Sequence, residues 1–108
     1  MDKQTLENMT INAFENAKKE RAELFTATEK AIYFNRKLED DKDVLITSGK
    51  IDGKNAEIRE AQLRDKLADQ YNELAISQNV ERAAKKNYDL AMFDVDTVKI
   101  MVRLMELP

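Results

Sequence analysis

Two pairs of glutamates, Glu20 with Glu23 and Glu57 with Glu60, stand three residues apart. On a helix that spacing puts both carboxylates on one face. Magnesium takes one or two carboxylates and completes its shell with water and phosphate, so each pair has the outline of a half-site. A denser acidic run, Glu39, Asp40, Asp41 and Asp43, lies between them. Four carboxylates in one helical stretch do not all face one point, which makes a solvated, ion-paired surface the better reading of that run.

Other chemistries are closed off by composition. The chain has 108 residues with no His and no Cys. The commonest general base and transition-metal ligand is therefore missing, together with every thiolate nucleophile, disulfide and zinc-thiolate site. No Ser-His-Asp or Cys-His arrangement can form, nor can the Glu-x-x-His ligand sets of di-iron bundles. Gly49 and Gly53 are the only glycines. They cannot supply a phosphate-cradling loop, and neither dinucleotide nor P-loop pattern occurs.

The glutamate pairs resemble the magnesium ligands of all-α nucleotide pyrophosphohydrolases, which use helical Glu-x-x-Glu and Glu-x-x-Asp. The remainder of that motif is not evident, and the spacing arises readily by chance in a chain that is 36% charged. We expect neither an enzyme nor a cofactor.

The elements that carry these residues follow from punctuation and period. The only proline is Pro108, and both glycines fall near the middle of the chain. The long flanking segments are rich in Ala, Leu, Glu, Lys, Arg and Gln, which favour helix, and period-two alternation is absent. The expectation is all-α: one domain over 1–108, a long antiparallel helical hairpin of coiled-coil type. Helix 1 should run from about 3 to 46, with Asp2 or Thr5 as N-cap. The turn should cover 47–54. Helix 2 should run from about 55 to 107, with Asn55, or in competition Asp52, as its N-cap and Glu57 in the first turn, where the helix dipole favours negative charge.

An apolar stripe in helix 1 passes through Leu6, Met9, Ala13, Ala17, Leu24, Ala27, Ala31, Phe34, Leu38 and Leu45. In helix 2, Ala84, Tyr88, Ala91, Val95, Val98, Val102 and Met105 keep a four-three spacing, the mark of a heptad seam. Upstream, Leu63, Leu67 and Leu74 share its phase, but Gln70, Ser77 and Glu81 interrupt it, while Ile76 and Val80 point to a shifted face. A stutter is expected there.

Helix 2 is the longer arm, so its end should overhang, carrying Ile100, Met101, Val102, Leu104, Met105 and Leu107. Two arrangements would cover that end. The helix could break near 93–96, with Asp94 or Asp96 capping a short third helix, or the end could pack on another subunit. We favour the second, with Val98, Val102 and Met105 as the oligomer interface. A lone hairpin buries one narrow seam, and Phe14, Phe25, Ile32, Tyr71 and Ile76 lie partly off it. A homodimer assembling into a four-helix bundle would cover them.

A hairpin centred near Ile51 sets residue i opposite 102 minus i. The acidic run then faces Arg59, Arg64 and Lys66. Lys18, Lys19 and Arg21 fall opposite Arg82, Lys85 and Lys86, a basic belt whose internal partners would be Glu15 for Lys19 and Glu81 for Lys85. Such a belt suits phosphate or an acidic partner. A net charge of -3 argues against strong general affinity for nucleic acid, where phosphate contacts dominate.

The most individual segment is the turn and its exit, Thr47-Ser48-Gly49-Lys50-Ile51-Asp52-Gly53-Lys54-Asn55-Ala56-Glu57-Ile58-Arg59-Glu60-Ala61-Gln62-Leu63. It resembles the middle of small, uncharacterised helical-hairpin proteins of bacteriophages and prophages, in which a Gly-Lys-Asn turn leads into an Arg- and Ala-containing helix. The likeness covers about 17 residues closely and the rest only as coiled-coil pattern. It implies a non-enzymatic accessory role near phage replication or recombination, or inhibition of a host protein. It also singles out Lys50, Lys54, Asn55 and Arg59 as a cationic tip that could bind a partner.

The expected function is therefore a non-enzymatic, oligomeric coiled-coil interaction protein with an unknown protein partner. The alternative is a DNA- or RNA-binding accessory protein using the belt or the tip. No apolar run approaches a membrane span, and Met1-Asp2-Lys3-Gln4 lacks the apolar core of a signal peptide. The expected setting is the cytoplasm, that of a bacterial host if the chain is phage-encoded.

Overall fold

The computed structural model describes residues 1–106. It is all-α, a helical hairpin whose second arm comes in two pieces: α1 (Lys3–Thr47), α2 (Ala56–Lys66) and α3 (Ala68–Glu106). Packing groups the chain into two compact units, Met1–Thr26 with Arg82–Pro108, and Ala27–Glu81.

Local chemistry sets the ends of α1. Asp2 caps its start, its Oδ1 accepting the Thr5 amide at 2.7 Å. That bond holds the Asp2 carboxyl below the ordinary carboxylate range. At the other end Lys50 N bonds Leu45 O at 3.1 Å and Gly49 N bonds Ile46 O at 3.2 Å. This paired pattern closes a helix through a left-handed residue, and Gly49 has φ +76°.

The second unit, Ala27–Glu81, contains the turn. Asn55 caps α2, with its Oδ1 accepting the Ile58 amide at 2.9 Å. The loop does not cross directly from arm to arm. It doubles back along α2: Gly53 N donates to Gln62 Oε1 at 3.0 Å, Arg59 Nη1 donates to Gly53 O at 3.2 Å, and Gln62 Nε2 donates to Asp52 Oδ1 at 2.8 Å. Ile51 joins a core of Leu38, Leu63 and Leu67, with Leu45, Tyr71 and Leu74 around it.

The doubled-back loop changes the register. A turn centred on Ile51 would set Ala61 opposite Asp41, yet Asp41 accepts a hydrogen bond from Gln70. In the first unit the same turn would set Tyr88 opposite Phe14. Instead Lys99 lies over the Phe14 ring and Tyr88 lies under the Arg21 guanidinium. The facing partners are displaced by two to three helical turns. The C-terminal overhang does not form among the described residues: Val102 and Met105 sit beside Leu6, Thr10 and Ile11, and Leu107 lies outside the described residues.

Nor does anything break α3 near 93–96. Val95 and Val98 are 2% and 4% exposed, the helix passes through both, and Asp94 and Asp96 cap nothing. Among the described residues the second arm is interrupted once, at Leu67, φ −112° and ψ 29°. Leu67 N and Tyr71 N keep their partners four residues back, at 2.9 Å each.

The stutter is absent too. Within Ala27–Glu81, with Thr28, Lys42, Gln62 and Tyr71 half-buried on the flanks, the buried and half-buried positions include Ala27, Ala31, Phe34, Leu38, Asp41 and Leu45 against Leu63, Leu67, Gln70, Leu74, Ser77 and Glu81. This is an unbroken four-three row on each arm. Ser77 is 6% exposed, whereas Ile76 and Val80 face outward at 55% and 52%. At Ser77, Gln70 and Asp41 phase continuity outweighs side-chain polarity because these groups find partners. Ser77 Oγ donates to Leu74 O at 2.8 Å and Gln70 Nε2 to Asp41 Oδ2 at 3.2 Å. In the first unit the row continues through Leu6, Thr10, Ala13, Ala17, Glu20 and Leu24 against Ala84, Tyr88, Ala91, Val95, Val98 and Val102. Its centre is Ala17, Ala91 and Val95, packed by Ala13 and Met92.

The two glycines are expected to respond differently to alanine. Gly49→Ala pays for the left-handed backbone, about 1 kcal/mol. At Gly53 an added Cβ would stand 2.6 Å from Ile58 Cγ2 and 3.0 Å from Arg59 N. The loop must shift, at about 2 kcal/mol. Urea unfolding midpoints check the order. A Gly53→Ala variant as stable as Gly49→Ala would mean that the loop is not pinned to α2.

Candidate interaction surfaces

The four residues of the cationic tip divide into two kinds. Asn55 is the helix cap, and Arg59 holds the loop through the Gly53 carbonyl. Both are occupied with folding the turn. Lys50 and Lys54 are exposed on the loop and are the two members that a partner could engage directly.

The basic belt loses its cross-hairpin pairing with the register. Arg21 lies beside Tyr88, its guanidinium 5.6 Å from the ring centroid, about two turns from the Glu81 position that a turn at Ile51 would give it. Lys18, Lys19 and Arg21 therefore run alongside the Tyr88 stretch of α3 and not opposite Arg82, Lys85 and Lys86. All six are exposed, but as two clusters.

The facing of Glu39, Asp40, Asp41 and Asp43 against Arg59, Arg64 and Lys66 also gives way. Lys42 bonds Glu39 at 3.3 Å and Arg64 bonds Glu60 at 3.2 Å, each within its own helix. Tyr71 sits between these arms, with Lys42 Nζ 5.1 Å and the Arg64 guanidinium 4.8 Å from its ring centroid. Tyr71, with Glu39 second, raises the Lys42 pKa above the ordinary lysine value against the opposing pull of burial.

Of the glutamate pairs, Glu60 is bonded to Arg64. Glu20 occupies a seam position, and its Oε2 is buried without a hydrogen-bond partner, whereas Glu23 is exposed. Among the described residues no group of three or more carboxylates is arranged to hold a metal ion. No helix among them is long and apolar enough to cross a membrane.

The expected oligomer interface needs correction. Val98 is 4% exposed and packs in the hairpin's own seam, so it is not offered to a second chain. Val102 is half-buried and Met105 is 48% exposed. These two border an open groove of about 520 Å³ with Leu6, Thr10 and Ile11.

A second apolar surface lies on the far side of α3. Leu90, Phe93, Thr97, Ile100 and Leu104 alternate three and four residues apart, as the seam does, but one or two positions off its phase. Leu90, Phe93, Ile100 and Leu104 are 52%, 67%, 55% and 63% exposed. Thr97 Oγ1 donates to Phe93 O at 2.9 Å, so its hydroxyl is satisfied along the helix. The signal was present in the sequence as a recurrence at seven residues: Leu90, Thr97 and Leu104 in one column, Phe93 and Ile100 in the other. On α1, Ile11, Phe14 and Phe25 are exposed as well.

No protein-family model matches the chain, and no match was found among curated proteins or solved structures.

Proposed function

We propose that the chain is a non-enzymatic coiled-coil interaction protein that works as a homodimer of hairpins, a four-helix assembly presenting its tip to a protein partner. The observation that carries this reading is the outer row on α3. A helix with one heptad row turned inward and another turned to water has two faces to fill, and a single hairpin fills one. Contiguous apolar surface of this kind marks an interaction site. The likeness of the turn segment to phage hairpin proteins supports an accessory role in replication or recombination, or inhibition of a host protein, with Lys50 and Lys54 as the exposed cations at the tip.

Light scattering on the purified chain tests the reading, which requires twice the chain mass at micromolar concentration. The nucleic-acid alternative is tested by DNA retention across a salt series. We expect no steep dependence, because the belt is split into two clusters. A log-log slope of several units, abolished by Lys18→Glu, Lys19→Glu, Lys85→Glu and Lys86→Glu together, would replace the protein partner with nucleic acid.

A further inference from the structure

We infer that the occupant of the outer α3 row is the same row of a second copy, running antiparallel, with Asp96 of each chain paired to the partner's Arg103. The inference rests on the self-association proposed above and specifies its face and direction.

Size comes first. Leu90, Phe93, Ile100 and Leu104 are each more than half exposed. Two such rows with their flanks reach roughly 1,000 Å², where specific interfaces begin.

Direction follows from the charges beside the row. Asp89, Asp96 and Arg103 flank it on one side, Asn87, Asp94 and Met101 on the other. In a parallel coiled coil the flanking residue at i meets the partner's i+5. That would bring Asp89 to the partner's Asp94, with no opposite charges to compensate. In an antiparallel pair like flanks face each other. With the two-fold axis between Thr97 and Ile100, Phe93 packs on the partner's Leu104, Thr97 on the partner's Ile100, and Asp96 on the partner's Arg103, each contact occurring twice as in any isologous dimer. Sliding one heptad one way sets Asp96 on the partner's Asp96 and Asp94 on the partner's Asp94, two repulsions that offset two Asp89–Arg103 attractions, and sliding the other way sets Arg103 on the partner's Arg103 with no attraction. Charge therefore selects one register out of three.

The outer row is on the opposite side of α3 from α1. Over the paired stretch of α3 the two α3 segments then lie side by side with the α1 segment of each first unit on the outer side, in place of the closed bundle expected from the sequence.

Sedimentation equilibrium on the full chain, with far-UV circular dichroism confirming helicity, tests this. Asp96→Arg and Arg103→Asp are each expected to weaken dimerisation about tenfold, by turning two attractions into two repulsions. The double variant Asp96→Arg/Arg103→Asp should return to within about threefold of the original. Phe93→Glu/Ile100→Glu, helical but unable to bury the row, should dimerise at least a hundredfold more weakly. A wild-type chain that stays at one-chain mass at 100 μM overturns self-association itself. A dimer that survives Phe93→Glu/Ile100→Glu keeps self-association but overturns this face. A dimer lost in that variant, with no recovery in the charge swap, overturns the antiparallel register.

Discussion

Leu38→Ala is expected to destabilise the protein by about 3 kcal/mol, within the range for large-to-small changes in a packed core. Leu38 is 2% exposed and closes the contact between the arms at Leu63 and Leu67. Truncation leaves a cavity where Ile51 and Leu45 also converge, so the loss reaches the loop as well as the seam. Folded domains have about 5–15 kcal/mol in total, and this one residue accounts for a large part of it. Val80→Ala provides the comparison. Val80 is 52% exposed and should change stability by less than about 0.5 kcal/mol. The two variants would shift the urea midpoint equally if the seam turned toward Ile76 and Val80, and that result would refute the unbroken row.

The second large effect concerns a pair of polar residues. Asp41 and Gln70 meet at 3.2 Å on facing seam positions, both half-buried. Replacing one partner strands the other. Gln70→Leu leaves a half-buried carboxylate without its donor and should cost about 1–2 kcal/mol, and Asp41→Leu should cost about 1 kcal/mol. Replacing both with leucine removes the stranded group and adds an apolar contact, so the double variant should be at least as stable as the original. A double-mutant cycle should give a coupling of about 2 kcal/mol. Coupling below about 0.3 kcal/mol would mean that the bond seen here contributes nothing. The polar pair also fixes register, as a single polar seam residue does in coiled coils. The double variant should therefore lose resistance to sliding while keeping its helicity.

The parts of this fold legible in the sequence were those encoded locally. The α1 stripe from Leu6 to Leu45 is inward as read, because a helical period needs only near neighbours to declare itself. Asn55 caps α2 and Gly49 closes α1 for reasons contained in a few residues. The register was not legible. It depends on Gln62 and Arg59 reaching back to Gly53, bonds that no propensity encodes and that turn a simple crossing into a doubled-back loop.

The misplaced register had further consequences. It created the apparent overhang, the facing belt, and the need for a break at 93–96. Polarity was the other source of error. Glu20, Asp41, Gln70, Ser77 and Glu81 all occupy seam positions. Counting apolar residues rejects each of them, although Ser77 is satisfied by its own helix and Asp41 by Gln70. At the candidate site, Lys50 and Lys54 are exposed. Asn55 and Arg59 are spent on the turn, and Val98 on the inner seam.

The alanines along the inner row govern how stability depends on temperature. Ala13, Ala17, Ala27, Ala31, Ala84 and Ala91 fill positions that larger side chains occupy in most coiled coils. Unfolding therefore uncovers little hydrocarbon to water, and the heat-capacity increment should fall below the usual about 12–15 cal/mol/K per residue. A small increment flattens the free-energy curve. The chain gains little from any optimum temperature and loses little on either side of it, and its melting should be broad, with a low enthalpy.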